Sequence, residues 1–262
     1  NDFVIIDNRQ KITNLTKDQI IKICDRNFVG CDQLILIGTD KSVDANLKFY
    51  NSDGGESGAC GNGTRCVADL ISKELNNKSV VLKTLSGNLK SKILGNNIVT
   101  TEIGKAKIEW NEIPLSEKLN TNNLNIKIND RNNKEYSGGT AVNVGNPHII
   151  FFVNEIDNFD IKKIGPSIEN NKIFPEKCNV TIAQIINRSL IKVKVWERGA
   201  GLTKACGTAA CATAYAGKLN NLTDKETDIE FEKGKLTISI DEKNSIHMKG
   251  PVSDIKEIKI KL

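Results

Sequence analysis

An internal repeat constrains the fold of this chain more than any other feature of its sequence. Lys48–Asn51 matches Lys194–Glu197, and Ala59–Gly61 matches Ala205–Gly207, with an offset of 146 residues in both cases. A repeat of this length, kept in chain order, is the sequence signature of a duplicated structural unit. We therefore expect two related halves, each with a Cys-Gly pair after a strand and a glycine-containing turn.

Further matches extend the repeat towards the beginning of each half. Gln33 falls on Asn179 at the same offset, and each residue leads into an apolar segment. With a slip of one residue, Asn1–Phe3 meets Asn146–His148. Slips of this size are what surface loops tolerate. Chance matches would not keep chain order over most of the sequence, so we interpret the repeat as a duplicated α/β unit.

The secondary structure predicted from the pattern is mostly short strands. Runs rich in Ile, Val and Phe are bounded by Gly, Asn or Asp, which is typical of strands. The predicted strands are Phe3–Ile6, Gln33–Ile37, Leu47–Tyr50, Val80–Thr84, His148–Val153, Leu190–Val195, Ile229–Phe231 and Leu236–Ile240.

Four helices are predicted between these strands. Thr16 is a good N-cap for a helix to about Cys24, with Ile20, Ile21 and Cys24 on one face. A helix is expected after each Cys-Gly pair, from about Asn62 to Leu75 and from about Thr208 to Leu219. A fourth runs from Asp160 to about Glu169 and is expected to be interrupted near Pro166. Leu119–Leu124 is predicted to be a loop.

Composition excludes several classes of protein. The chain has 262 residues, a formal net charge of +5 and 5% aromatic residues, and its lysines are scattered. A nucleic-acid partner is not expected, because there is no dense basic stripe with aromatic residues for base stacking. A membrane partner is not expected either, since no apolar run is long enough to cross a bilayer. A mild positive charge is compatible with an anionic small-molecule substrate.

The cysteines are predicted to be reduced thiols. There are 7, with no Cys-x-x-Cys pair, which argues against a zinc ribbon, a thioredoxin-like motif or a disulfide framework. We therefore expect a cytoplasmic protein with reduced thiols and without a zinc site of this kind. Cys24, Cys31, Cys66, Cys178 and Cys211 are predicted to be buried apolar residues, the usual state of a free cysteine.

Cys60 and Cys206 are interpreted differently because each precedes a predicted helix. A helix start presents unpaired N–H groups and the positive end of the helix dipole. This environment favours a thiolate and predicts a lowered thiol pKa, and the same N–H groups can hold a carboxylate. Inversion of a Cα centre needs a base on one face and an acid on the other. Two thiols from equivalent halves meet that requirement, so the pair predicts an amino-acid epimerase.

The motifs around the two cysteines resemble diaminopimelate epimerase. The resemblance rests on Asn51-x-Asp-Gly…Cys60-Gly-Asn-Gly-x-Arg, on Gly145-Asn-Pro-His148, and on Glu197-Arg-Gly-x-Gly…Ala-Cys206-Gly-Thr, and it covers essentially the whole chain. It implies an α/β (α+β) fold of two pseudo-symmetric domains. Each domain is a strongly curved mixed sheet around a central helix, with the active site in the cleft between them. The implied reaction interconverts LL- and meso-2,6-diaminopimelate in lysine biosynthesis, without a cofactor.

The resemblance also implies roles for individual residues. Cys60 and Cys206 correspond to the proton donor and acceptor, and His148 and Glu197 to residues that tune the thiol pKa values. The reacting carboxylate is expected on the backbone N–H groups of Gly61, Asn62, Gly207 and Thr208. The remaining substrate-contacting positions are Asn1, Gln33, Asn51, Asn146, Asn179, Glu197 and Arg198. An acceptor for ammonium and a donor fork for carboxylate suit a substrate with two amino-acid ends.

Expected domain bounds follow from the repeat and the resemblance. Residues 1–112 with 251–262 are predicted to form the half that carries Cys60, and residues 113–250 the half that carries Cys206. A homodimer is one open alternative for the assembly. Family members usually continue N-terminally beyond the position of Asn1, so we expect residues to precede Asn1 in the native protein.

Two other functions stay open at the level of sequence. A two-thiol racemase of the same architecture could act on proline, hydroxyproline or histidine. Arg198 with Asn146 and Asn179 favours a substrate with a distal amino-acid group, hence diaminopimelate. A redox or metal-binding protein with reactive thiols is the alternative from another class.

Overall fold

The structure is a computed structural model, and it describes residues 1–10, 13–58 and 60–260. Ala59, the first residue of one repeat match, lies outside the described residues.

The described residues form four α-helices: α1 (Lys17–Cys24), α2 (Gly61–Leu75), α3 (Ile161–Glu169) and α4 (Gly207–Leu219). The strands are β1 (Phe3–Asp7), β2 (Gln33–Gly38), β3 (Ala45–Asn51), β4 (Glu56–Ser57), β5 (Ser79–Thr84), β6 (Gly87–Gly95), β7 (Ile98–Lys105), β8 (Ile126–Asn129), β9 (Glu135–Gly138), β10 (Thr140–Asn143), β11 (Pro147–Val153), β12 (Asn179–Asn187), β13 (Leu190–Glu197), β14 (Gly201–Thr203), β15 (Glu226–Phe231), β16 (Gly234–Ile240) and β17 (Ser245–Pro251).

The chain divides into two compact units. Unit 1 comprises Asn1–Glu102 and Gly250–Leu262, and unit 2 comprises Ile103–Lys249. The boundaries therefore fall inside β7 and β17.

Unit 1 is a mixed sheet around one helix. Its strand order is β1-β2-β3-β5-β6-β7, with β4 paired to β3. The pairs β1/β2 and β3/β5 are parallel and the other pairs are antiparallel. Val67, Ala68 and Ile71 of α2 pack with residues of β2, β3, β5 and β7 in one buried cluster. The start of α2 approaches the sheet closely, since a Cβ on Gly63 would lie 2.9 Å from the Phe49 ring.

Unit 2 repeats the same order of elements. Its main sheet runs β10-β11-β12-β13-β15-β16-β17, with β14 paired to β13, and β8 and β9 form a separate hairpin. The parallel pairs are β11/β12 and β13/β15. The register repeats as well: Phe49 pairs with Ser57 in unit 1, and Val195 pairs with Thr203 in unit 2. The repeat therefore preserves strand direction and pairing.

The core of unit 2 is built on the small residues of α4. Ala209, Ala210, Ala212 and Ala214 are at most 1% exposed and pack with β11, β13, β15, β16 and β17. A second buried cluster lies around α3 and contains residues of β8, β11 and β12. These layers give each unit a central helix with a cysteine at its start.

The eight predicted strands and the four predicted helices are confirmed, with two corrections in the helices. Ile21 is 39% exposed and Ile23 is fully buried, so Ile23 rather than Ile21 lies on the buried face of α1. Pro166 does not interrupt α3, which continues to Glu169. Pro166 is the sixth residue of this short helix, and because proline has no backbone N–H it removes one hydrogen bond of the helix without ending it. Leu119–Leu124 lies outside every helix and strand, as predicted. None of the helices in the described part of the chain is both long and apolar enough to span a membrane.

Candidate active site

Cys60 is the N-cap residue of α2 in unit 1. Its backbone is extended, with φ −140° and ψ 108°, and its Sγ accepts a hydrogen bond from the Gly63 N–H at 3.4 Å. The thiol therefore takes the place of the oxygen that usually caps a helix. The side chain is half-buried.

Cys206 occupies the equivalent place in unit 2. It is the N-cap residue of α4, with φ −147° and ψ 113°, within 10° of the angles at Cys60. The side chain is 5% exposed, and its Sγ lies 3.4 Å from Thr208 Oγ1. The same local conformation thus places one thiol at the start of each central helix.

The pKa of both thiols is raised, so the prediction of a lowered pKa is wrong. Burial is the largest cause in each case, because it penalises the charged thiolate. The N–H groups of Gly63 and Asn62 oppose the rise at Cys60, and Thr208 with the Ala209 N–H opposes it at Cys206. The helix start acts in the predicted direction but is outweighed by desolvation.

The two cysteines differ in the charges that surround them. The positive charge of Arg65 lowers the pKa of Cys60, although burial still dominates. At Cys206, burial is reinforced by the charge of the Glu197 carboxylate and by its hydrogen bond. Each charge favours one protonation state: Arg65 the thiolate and Glu197 the thiol.

Unit 1 brings its predicted amide side chains together in pairs. Asn62 Nδ2 donates to Asn1 Oδ1 at 2.7 Å, and Gln33 Nε2 donates to Asn51 Oδ1 at 2.8 Å. Gln33 and Asn51 face each other in the register of β2 and β3. Arg65 donates to Asn62 Oδ1 at 3.0 Å, which fixes the orientation of that amide.

The predicted residues of unit 2 lie side by side and share hydrogen bonds. As the Nε2–H tautomer, His148 donates to Asn146 Oδ1 at 2.8 Å. Its Nε2 also lies 3.4 Å from Asn179 Nδ2, which donates to the Pro147 carbonyl oxygen at 2.9 Å. Asn179 Oδ1 in turn accepts from the Arg198 N–H at 3.0 Å. His148 is fully buried, and burial and the charge of Arg198 lower its pKa to about 3. The imidazole is therefore neutral near pH 7, and it can act on its neighbours only as a hydrogen-bonding group.

Glu197 and Arg198 lie at the end of β13, in the turn before β14. The Arg198 side chain is exposed, and its Nη1 donates to the Glu176 carbonyl oxygen at 2.7 Å. Gly207 and Thr208 follow Cys206 at the start of α4, as Gly61 and Asn62 follow Cys60 in α2. The first N–H groups of a helix have no partner within it and can bind an anion.

Comparison with known proteins identifies the family. The family model described as diaminopimelate epimerase matches residues 1–109 and 140–255. The chain belongs to the diaminopimelate epimerase family. It is 71% identical over 262 residues to the diaminopimelate epimerase of Pelagibacter ubique (strain HTCC1062), covering 100% of this chain and 96% of that one. It is 38% identical over 258 residues to the diaminopimelate epimerase of Acidiphilium cryptum (strain JF-5), covering 98% of this chain and 91% of that one.

Solved structures share the fold. A phenazine biosynthesis protein of the PhzF family from Bacillus anthracis matches with a TM-score of 0.64 at 16% identity, covering 95% of this chain and 90% of that one. At this identity the likeness concerns the fold alone. The α/β class expected from the resemblance is confirmed.

One buried carboxylate close to the family motifs was not predicted from the sequence. Glu169, at the end of α3, is 6% exposed and accepts from Trp196 Nε1 at 2.7 Å and from the Gly199 N–H at 3.0 Å. A glutamate at a helix end gives no sequence signal, because such residues are usually solvated. Its burial and its contacts only appear in three dimensions. Among the described residues, no group of three or more His, Cys, Asp or Glu side chains is arranged to hold a metal ion.

Proposed function

We propose that this chain interconverts LL- and meso-2,6-diaminopimelate, with Cys60 and Cys206 as the paired acid and base. The observation that carries this proposal is the thiol at the N-cap of each central helix, in a chain that belongs to the diaminopimelate epimerase family. The equivalent backbone angles at the two cysteines support equivalent roles for them.

The proposed reaction moves one proton at each thiol. The thiolate of one cysteine removes the proton from Cα, and the thiol of the other donates a proton to the opposite face of the same carbon. In the direction assigned by the family resemblance, Cys206 is the acceptor and Cys60 the donor. The roles exchange in the reverse direction, because each step leaves the acceptor protonated and the donor ionised.

The raised thiol pKa values have two opposite effects on this scheme. A thiolate with a high pKa binds the substrate proton more strongly, but a smaller fraction of the thiol is ionised near pH 7. The N–H groups of Gly61, Asn62, Gly207 and Thr208 are proposed to hold the reacting carboxylate and to stabilise charge that develops on it. Fixed dipoles of this kind stabilise the transition state most when they point at a developing negative charge.

The polar side chains are proposed to bind the two ends of the substrate. Glu197 accepts from an ammonium group and Arg198 donates to a carboxylate, each through a charge-assisted hydrogen bond. The neutral amides that share the task are Asn1, Gln33, Asn51, Asn146 and Asn179. His148 is proposed to act through the hydrogen bond that its Nε2–H donates to Asn146 Oδ1, which orients that amide. We also propose that the enzyme works in the cytoplasm, where thiols stay reduced.

The decisive experiment follows deuterium at the inverted carbon. LL-diaminopimelate is incubated with the protein in deuterated water, and product and residual substrate are separated early in the reaction. A two-thiol mechanism labels the product, because the donor thiol carries solvent deuterium, and leaves the residual substrate unlabelled. Turnover of proline, hydroxyproline or histidine without turnover of diaminopimelate would contradict the proposal in favour of another racemase.

Substitution of either cysteine tests the mechanism. Cys60→Ala and Cys206→Ala are each expected to lower kcat by at least about a hundredfold, because each removes a general acid or base. Cys66→Ala is the matched control: it lies on the same helix as Cys60 and is also half-buried. Circular dichroism checks the fold of each variant. Substantial activity in a folded Cys60 or Cys206 variant would rule out the two-thiol mechanism.

A further inference from the structure

The buried carboxylate of Glu169 contacts both sides of the Glu197-Arg198 pair. Its Oε2 accepts from the indole of Trp196, the residue before the pair, at 2.7 Å. Its Oε1 accepts from the backbone N–H of Gly199, the residue after the pair, at 3.0 Å. Both carboxylate oxygens therefore accept hydrogen bonds from the turn that carries Glu197 and Arg198, the two predicted substrate-binding residues.

The contact between α3 and Trp196 is close as well as polar. A Cβ on Gly165 would overlap the indole ring, so the helix backbone itself packs against Trp196. Gly201, on the far side of the turn, would place a Cβ 3.5 Å from the same ring. Trp196 is therefore held between α3 and the turn, with Glu169 fixing its polar edge.

A buried carboxylate is costly to keep unless hydrogen bonds compensate for its lost hydration. No lysine or arginine pairs with Glu169 in the ion pairs found among the described residues. Its two partners are instead an indole N–H and a backbone N–H, both belonging to the segment 196–199. A hydrophobic side chain could fill this site at a lower cost in folding free energy. The presence of a carboxylate therefore indicates that its two hydrogen bonds are needed to fix the geometry of the turn.

We propose that Glu169 is a positioning residue for epimerisation: it holds the turn 196–199 so that Glu197 faces Cys206 and Arg198 is placed for the substrate. This inference rests on the proposed function. Glu169 acts through its neighbours, since both of its oxygens are occupied by Trp196 and Gly199. Displacement of a ligand by about 1 Å can lower a rate by as much as roughly a hundredfold.

The test compares Glu169→Ala and Glu169→Gln with Glu155→Gln. The alanine variant removes both hydrogen bonds, whereas the glutamine variant keeps one carbonyl oxygen as an acceptor. Glu155→Gln is the matched control, because Glu155 is exposed in the same unit and its side chain makes no capping hydrogen bond to the short 3₁₀ helix that follows it, Ile156–Asn158. Two quantities are measured: KM and kcat for diaminopimelate, and the pH dependence of Cys206 alkylation by iodoacetamide, resolved by peptide mass spectrometry.

Glu169→Ala is expected to raise KM by roughly tenfold or more, as a misplaced ligand would, with Glu169→Gln between it and the unsubstituted protein. The alkylation midpoint of Cys206 is expected to move to lower pH, because a displaced Glu197 no longer raises the pKa of that thiol. A merely structural role would lower the melting temperature without moving this midpoint. Glu155→Gln is expected to change neither quantity.

Unchanged KM and an unchanged alkylation midpoint in a folded Glu169→Gln variant would overturn the positioning role, even if the alanine variant fails to fold. The alkylation measurement needs no substrate. If the unsubstituted protein does not epimerise diaminopimelate, the proposed function fails, while the midpoint still decides whether Glu169 holds Glu197 against Cys206.

Discussion

The Glu197 carboxylate adds to the effect of burial in making the Cys206 thiol harder to ionise. Its negative charge and its hydrogen bond both raise the pKa of Cys206, in addition to the effect of burial. Removal of that charge should therefore lower the pKa and allow the thiolate to form at lower pH.

Glu197→Gln is expected to move the alkylation midpoint of Cys206 to lower pH. The measurement follows iodoacetamide labelling of Cys206 in a Cys60→Ala background, with Glu155→Gln as the control for loss of an exposed carboxylate. The direction is fixed by the sign of the electrostatic effect, since a neighbouring negative charge always favours the neutral thiol. A midpoint that stays in place or rises would show that Glu197 does not act on this thiol.

The positions of the candidate catalytic residues could be read from the sequence, but their electrostatics could not. The Cys-Gly repeat identified Cys60 and Cys206 because the spacing and the following small residues are visible in one dimension. The sign of their pKa shifts depends on how deeply each Sγ is buried, and burial is a property of the packed unit. The role of Glu169 could not be predicted for a similar reason, because its hydrogen-bond partner Gly199 lies 30 residues away in the sequence.

The contact between α3 and β13 depends on a glycine. Alanine normally stabilises a helix interior by up to about 1 kcal/mol relative to glycine. At Gly165 the added Cβ would overlap the Trp196 ring, so the gain in helix propensity is outweighed by overpacking.

Gly165→Ala is expected to lower the free energy of unfolding by about 1–3 kcal/mol, the usual cost of an extra methyl group in a packed core. Ser167→Ala, at an exposed position of the same helix, is the control and should leave stability unchanged or slightly raised. Urea denaturation followed by circular dichroism measures both. If Gly165→Ala matches the control, Trp196 can move away from α3 without cost.

Helices and strands were predictable to different degrees because their signals differ in strength. Every predicted strand contains several apolar residues in succession or in alternation. The strands β6, β7, β8, β9, β10, β12 and β17 were not predicted. In β6 only Leu89 and Ser91 are buried, and their neighbours Asn88, Lys90 and Lys92 are exposed. The short strands β4 and β14 carry no pattern of their own, and pair with β3 and β13 because the preceding turns bring them back.

The two units show how one topology can be built from different side chains. Helix α2 is amphipathic and buries Val67 and Ile71, whereas α4 is rich in alanine and buried along most of its length. Strand order, direction and register are nevertheless the same. What the duplication preserves is a strand, a turn and a helix that begins at a cysteine, which is the geometry that the proposed chemistry uses twice.

That chemistry requires both Sγ atoms to reach one carbon, so mild oxidation should be able to join them. Diamide takes two electrons and two protons from a pair of thiols, leaving a disulfide and a hydrazine. We expect diamide to abolish epimerisation, a thiol reductant to restore it, and peptide mapping to find a Cys60–Cys206 disulfide.

A second thiol pair provides the internal control for this oxidation. Cys24 and Cys31 in unit 1 have their Sγ atoms 3.4 Å apart and are both buried. Neither thiol of this pair takes part in the proposed chemistry, so a Cys24–Cys31 disulfide would leave the proposed acid and base in place. A Cys31→Ser variant should therefore lose activity in diamide as the unsubstituted protein does. If the substitution instead protects the enzyme, the inactivating disulfide forms between Cys24 and Cys31, and the requirement that Cys60 and Cys206 meet at one carbon loses this support.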